Sequence, residues 1–158
     1  MESTKPRCLI LACGNTLRED DGVGPWLAQW AEEHFSADPH VRVLSRHQWT
    51  PELAEDISHA ESVLFIDCAT NIAPGSVQVT PVSPSSGTTG VGTHQVGAAQ
   101  LLSLSRELYD AYPRNSLLLT IGAGSLEFRE GFSESVNAAL PEACRQLENT
   151  VRQLIHAS

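Results

Sequence analysis

Three side chains able to grip a divalent cation, Asp21, Asp67 and His94, stand at comparable places along the chain. Asp21 closes the tetrad Arg18-Glu19-Asp20-Asp21, set between Cys13-Gly14-Asn15 and Gly22-Val23-Gly24. Asp67 directly follows the apolar run Leu64-Phe65-Ile66, and His94 follows a stretch rich in serine, threonine and glycine. Two carboxylates and an imidazole suit a borderline first-row divalent ion such as nickel or zinc better than magnesium or copper(I). Without a cation, opposed carboxylates repel and one stays protonated. Burying a carboxylate at the end of an apolar strand is costly unless it is paired, which favours a functional Asp67. Read singly, Asp21 serves equally well as a cap for the helix after it, and Asp20 suits a capping or turn-forming role better still. His94 taken alone suits a surface or capping histidine.

The elements that must position these groups follow from hydrophobic periodicity. Cys8-Leu9-Ile10-Leu11-Ala12 predicts a buried first strand over 7–12. A helix follows over 26–35, its apolar face carrying Val23, Trp26, Leu27, Trp30, Ala31 and His34 or Phe35, with Pro25 in its first turn. Strands are predicted over 41–44 and 62–66, with a short helix starting after Thr50-Pro51 between them. The run 77–82 follows too closely for a helical crossover, so it should lie antiparallel at an edge. The stretch 83–92 reads as a surface loop, and Thr93 can cap a helix with Ala98, Leu101, Leu104, Ser105 and Leu108 on one face. A buried strand over 117–121 follows. Ser133 should cap a last helix, with Val136, Leu140, Ala143, Leu147, Val151 and Leu154 inward and Pro141 kinking or splitting it. Alternating strands and helices predict an α/β three-layer sandwich, a mainly parallel five-stranded twisted sheet with helices on both faces, as one domain over 1–158. In such a sheet both aspartates lie at the carboxyl edge, where ligands bind, and His94 joins them only if its helix starts there. A helix N-terminus would keep that imidazole neutral, the form that binds metal.

The totals exclude several function classes. With 158 residues, 41% of them hydrophobic and 18% charged, the chain reads as an ordinary soluble globular protein. A formal charge of -9 argues against nucleic acid or an anionic membrane as partner. The N-terminal residues have neither the length nor the cleavage site of a signal sequence, which points to the cytoplasm. Cys8 and Cys144 read as core residues. Cys13 and Cys68, at the ends of predicted strands, could line the site, but an acidic corner disfavours a catalytic thiolate. Gly-x-Ser-x-Gly, His-Glu-x-x-His, a dinucleotide turn and a Walker lysine are all absent. Gly87-Thr88-Thr89-Gly90 is weak evidence for an anion cradle. The other histidines, His34, His40, His59 and His156, read as solvated.

Taken together, Leu9-Ile10-Leu11-Ala12-Cys13-Gly14-Asn15-Thr16-Leu17-Arg18-Glu19-Asp20-Asp21-Gly22-Val23-Gly24 resembles the opening motif of the hydrogenase maturation endopeptidases. The resemblance continues through Phe65-Ile66-Asp67-Cys68-Ala69, Thr93-His94-Gln95-Val96-Gly97, Ile121-Gly122 and Gly131-Phe132-Ser133. It implies a peptidase that trims the C-terminal tail from the large-subunit precursor of a nickel–iron hydrogenase. It also implies a monomer, with the family's metal contacts falling on Asp21, where other members have Glu, Asp67 and His94. The metal is then the substrate's own nickel, for which zinc or another divalent ion can stand in crystals. Many members carry an Asp-Gly-Gly-Thr-like turn after the second strand. Here Ser45-Arg46-His47-Gln48-Trp49-Thr50 stands in its place, resembling another branch and making His47 and Gln48 candidates for substrate contact. Two other classes remain open at this point: a zinc hydrolase with its own metal acting on a small amide or peptide, and a non-catalytic nickel-insertion checkpoint or chaperone.

Overall fold

Among the described residues five strands and four helices arise where apolar periodicity places them, and strand order then decides where a site can form. The computed structural model describes residues 6–84 and 96–156; the stretch 85–95, with Gly87 to Gly90, Thr93 and His94, lies outside them. The strands are β1 (Cys8–Cys13), β2 (Val41–Arg46), β3 (Ser62–Ala69), β4 (Val77–Pro81) and β5 (Asn115–Gly122). The helices are α1 (Val23–His34), α2 (Leu53–Ser58), α3 (Ala98–Tyr109) and α4 (Glu134–His156). The sheet order is β2-β1-β3-β5-β4, parallel except where β4 runs antiparallel along β5 at the edge, as expected from its short connection.

From β1 the chain steps to one side, through α1 to β2, then crosses back through α2 to β3 on the other side of β1. Right-handed crossovers in opposite directions put their helices on opposite faces. Accordingly α1 packs with α4 over Ile10, Leu64, Ile66 and Leu119, while α2 and α3 cover Leu9, Leu11, Val63 and Phe65. This is the expected three-layer arrangement. Burial on both faces explains why Cys8 to Ala12 is an unbroken apolar run. The reversal of direction at β1 opens a crevice between β1 and β3 at their carboxyl ends, the usual ligand position in open α/β sheets.

Several boundaries and faces differ from the expectations. Strand β3 continues to Ala69, because its last residues pair with Thr120, Ile121 and Gly122 of β5; Asp67 therefore lies within the strand. Helix α2 starts at Leu53 after a turn over Thr50 and Pro51, so Pro51 is not its first helical residue. Helix α3 starts at Ala98 with Gly97 as its N-cap, whose N–H donates to Gln100 Oε1 at 2.9 Å. On α3 it is Leu102, not Leu108, that joins Ala98, Leu101 and Ser105 in the interior; Leu108 is exposed. On α1, Trp26 is turned outward while Ala28 is buried. Helix α4 stays continuous through Pro141, its eighth residue, and Ser133 Oγ accepts from Val136 N at 3.4 Å as the expected cap. Among the described residues no helix is long and apolar enough to cross a membrane.

Candidate metal-contacting site at the β1–β3 crevice

The acidic tetrad folds as a 3-10 turn over Glu19–Gly22 rather than as the first turn of α1. Contact with bare backbone, a strap from the β5–α4 loop and the ion pair of buried Glu19 fix its shape. Gly14 has φ +153, and a Cβ there would meet the Asp21 carbonyl oxygen at 1.9 Å, so the turn closes against bare backbone. Arg18 forms a parallel bridge with Arg129, and Glu19 N and Asp20 N donate to Arg129 O and Ser125 O at 2.9 and 3.2 Å. The loop between β5 and α4 is thereby strapped to the turn. Glu19 adopts a left-handed φ of 46, a conformation that non-glycine residues visit rarely. Its carboxylate is buried, accepts from Arg129 Nη2 at 2.9 Å and from Ser125 Oγ, and is held below the ordinary glutamate range by those two partners.

Consecutive aspartates take different duties. Asp20 is fully buried; its Oδ2 accepts from Gly124 N at 2.7 Å, Ser125 N at 2.9 Å and Ser133 Oγ at 2.7 Å, and its Oδ1 accepts from Ser133 N at 2.7 Å. Burial pushes this carboxyl up, but hydrogen bonds from Ser133, Ser125 and Gly124 outweigh it and hold the group below its usual value. Asp20 is thus the turn-forming residue, as expected. Asp21 does not cap α1, whose N-cap is Gly22 without a side-chain bond. Instead its Oδ2 accepts from Asn15 N at 2.8 Å, and the side chain remains half-buried.

Asp67 meets this corner from β3. The β1–β3 register runs to Ala12 opposite Ile66, so the next step sets Asp67 level with Cys13. The Cys13 thiol and the Asp67 carboxylate act on each other there, and Asp67 Oδ1 accepts from Cys68 N at 2.8 Å. Burial raises the Asp67 carboxyl to about 6, and the nearby Asp21 charge adds to the rise. The same two carboxylates act on Cys13 and Cys68. Burial first, and then the Asp67 and Asp21 charges, push both thiols up, Cys68 to about 12 in all. Neither is a thiolate near neutral pH, in keeping with the disfavoured cysteine chemistry.

The structure therefore brings Asp21 and Asp67 into one electrostatic neighbourhood. Among the described residues no group of three His, Cys, Asp or Glu side chains could hold a metal ion. His94 lies outside those residues. The expectation that His94 opens α3 falls on that undescribed stretch, and the helix as described begins at Ala98. His47 and Gln48 stand exposed just beyond the carboxyl end of β2, with no described contact to either aspartate, whereas Trp49 turns inward onto Phe65 with ring centroids 5.2 Å apart. Sequence reasoning missed the clamp of Ser125 and Ser133 on the turn and the Cys13–Asp67 pair. The first depends on backbone N–H groups about a hundred residues away; the second could have been found only by aligning β1 with β3.

Neither a protein-family model nor a curated protein matches the sequence. Solved structures do match. The hydrogenase maturating endopeptidase HybD from E. coli is 23% identical, with 93% of each chain covered and a TM-score of 0.74. The [NiFe] hydrogenase maturation protease HycI from Thermococcus kodakarensis is 23% identical over 97% of this chain and 94% of its own, with a TM-score of 0.67. A hydrogenase 2 maturation peptidase from a Thaumarchaeota archaeon is 23% identical over 92% of this chain and 97% of its own, at 0.66. The chain is thus built on the fold of the solved hydrogenase maturation proteases.

Proposed function

We propose that this protein is an endopeptidase that removes the C-terminal extension of the nickel-loaded large-subunit precursor of a nickel–iron hydrogenase. Nickel arrives as part of that substrate, and Asp21, Asp67 and His94 are its proposed contacts. The observation that carries this reading is the pairing of Asp21 and Asp67 at the carboxyl edge, where burial raises the Asp67 carboxyl and the Asp21 charge adds to the rise. A cation between them would relieve that repulsion. The shared fold with solved hydrogenase maturation proteases supports that substrate class.

In this reading the substrate's nickel fixes the tail against the enzyme and polarises the scissile carbonyl as a Lewis acid. Holding the bond in place contributes a further share of the rate, up to roughly 7–11 kcal/mol in well-oriented intramolecular cases. The rigid turn built by Gly14, Asp20 and the β5–α4 loop keeps Asp21 in position for both tasks. A monomeric, cytoplasmic enzyme without nucleic-acid or membrane partners belongs to the same proposal.

The test is incubation with nickel-loaded and nickel-free precursor, read by intact mass. Shortening of the loaded precursor alone is the expected result. Stable association without cleavage favours a checkpoint or chaperone. Stoichiometric zinc retained through dialysis, with cleavage indifferent to nickel, favours a hydrolase with its own metal.

A further inference from the structure

Beside the acidic turn the surface changes character. Leu17 and Phe128 are 58% and 83% exposed, and Trp26, at 38%, stands outward from α1. Trp26 and Phe132 meet edge-on with ring centroids 6.4 Å apart at 85°. With Pro25 and Leu140 they wall an open groove of about 520 Å³, within the span of pockets that take ligands, about 300–1,000 Å³. Apolar groups gathered in this way on a surface commonly mark an interaction site.

Thr16 and Gly22 also line the groove. Thr16 follows Asn15, whose N–H holds the Asp21 carboxylate, and Gly22 follows Asp21 itself. The groove and the candidate site therefore share a wall. The charged residue lining the groove is Glu130. Across Pro25 and Gln29 a neighbouring hollow is lined by Glu32 and Glu33. Among the described residues neither Glu130 nor Glu32 has a cationic partner. The apolar floor asks for a bulky side chain, and the acidic flanks ask for positive charge beside it.

We infer that this groove docks an extended polypeptide segment of the substrate protein in which a bulky apolar residue neighbours lysine or arginine. Docking there delivers the adjoining chain to Asp21 and Asp67. The inference rests on the peptidase reading for the identity of the partner, not for the chemistry of the groove.

Two measurements separate these. In the first, the peptide acetyl-Gly-Lys-Phe-Lys-Gly-amide is titrated into the isotopically labelled protein and followed by NMR, against versions with Glu for Lys and with Ala for Phe. Shifts centred on Trp26, Gly131 and Phe132 with the first peptide alone are expected. No shift at these residues up to about 5 mM, a range that captures weak binding, overturns the inference, as does equal binding of the acidic peptide. In the second, Trp26→Ala and Glu130→Lys are assayed with nickel-loaded precursor. KM should rise about tenfold with kcat unchanged, the pattern of lost binding away from the reacting bond. An unchanged KM in both variants also overturns it. Failure of the wild type to cut the precursor removes the peptidase reading, while the peptide titration still judges the groove.

Discussion

Asp20 and Asp21 are neighbours in sequence, yet the first spends its carboxylate on the protein and the second leaves most of its own for the crevice. Asp20 gathers four hydrogen bonds from Gly124, Ser125 and Ser133. Asp21 accepts from Asn15 N alone among the described residues. Because Asp20 anchors the turn, it fixes where Asp21 points. Its substitution is therefore a stability experiment, and substitution of Asp21 is a functional one.

Asp20→Ala removes the acceptor of three part-buried backbone N–H groups, those of Gly124, Ser125 and Ser133. Each unsatisfied donor costs about 1–3 kcal/mol, partly recovered by relaxation, so a loss of about 3–5 kcal/mol is expected. Denaturant unfolding measures it. Asp21→Asn should unfold within about 1 kcal/mol of wild type, as a half-exposed position does. An Asp20 variant of wild-type stability would remove the anchoring role.

Asp67 should cost the empty protein stability as pH rises. Its folded carboxyl titrates at about 6, above the unfolded value, so the folded state binds the proton more tightly. Stability is then fullest below the unfolded value, near 4, and declines as pH climbs through about 6. Two units correspond to roughly 3 kcal/mol. In metal-free buffer Asp67→Asn should be the more stable protein at pH 8, by up to that amount, with the gap narrowing toward pH 4.5. Denaturant midpoints at the two pH values decide, and a gap that does not change with pH contradicts the assignment.

Cys13 and Cys68 should alkylate slowly. Burial and the two aspartates hold both as thiols, Cys68 at about 12, so iodoacetamide labelling at pH 8 should lag far behind that of an ordinary cysteine at about 8.5. Cys68→Ala should keep precursor cleavage within about twofold of wild type, since no step requires its sulfur. Rapid labelling, or loss of cleavage in that variant, would reopen thiol chemistry.

The sheet and its edge were legible because they follow from local pattern. The run from Cys8 to Ala12 announces a strand covered on both faces, and the short link before Val77 announces an antiparallel edge. Asp67 was legible as a carboxylate after an apolar run, although pairing with β5 carries the strand two residues past it. What stayed hidden depends on distant backbone. Nothing near Asp20 reveals that Ser133 will reach it across 113 positions. Trp26 misled because helical spacing cannot tell a core face from a docking face, and both accept tryptophan. The start of α3 was misplaced because Thr93 is a good cap by type, while Gly97 with Gln100 supplies the cap in the fold.

The most direct measurement is anomalous diffraction from a crystal soaked in zinc as a stand-in cation. One strong peak is expected in the β1–β3 crevice, with carboxylate oxygens of Asp21 and Asp67 at about 2.0–2.2 Å and an imidazole nitrogen of His94 at about 2.0–2.1 Å. Zinc bound only at surface carboxylates elsewhere, with no peak between Asp21 and Asp67, would contradict it.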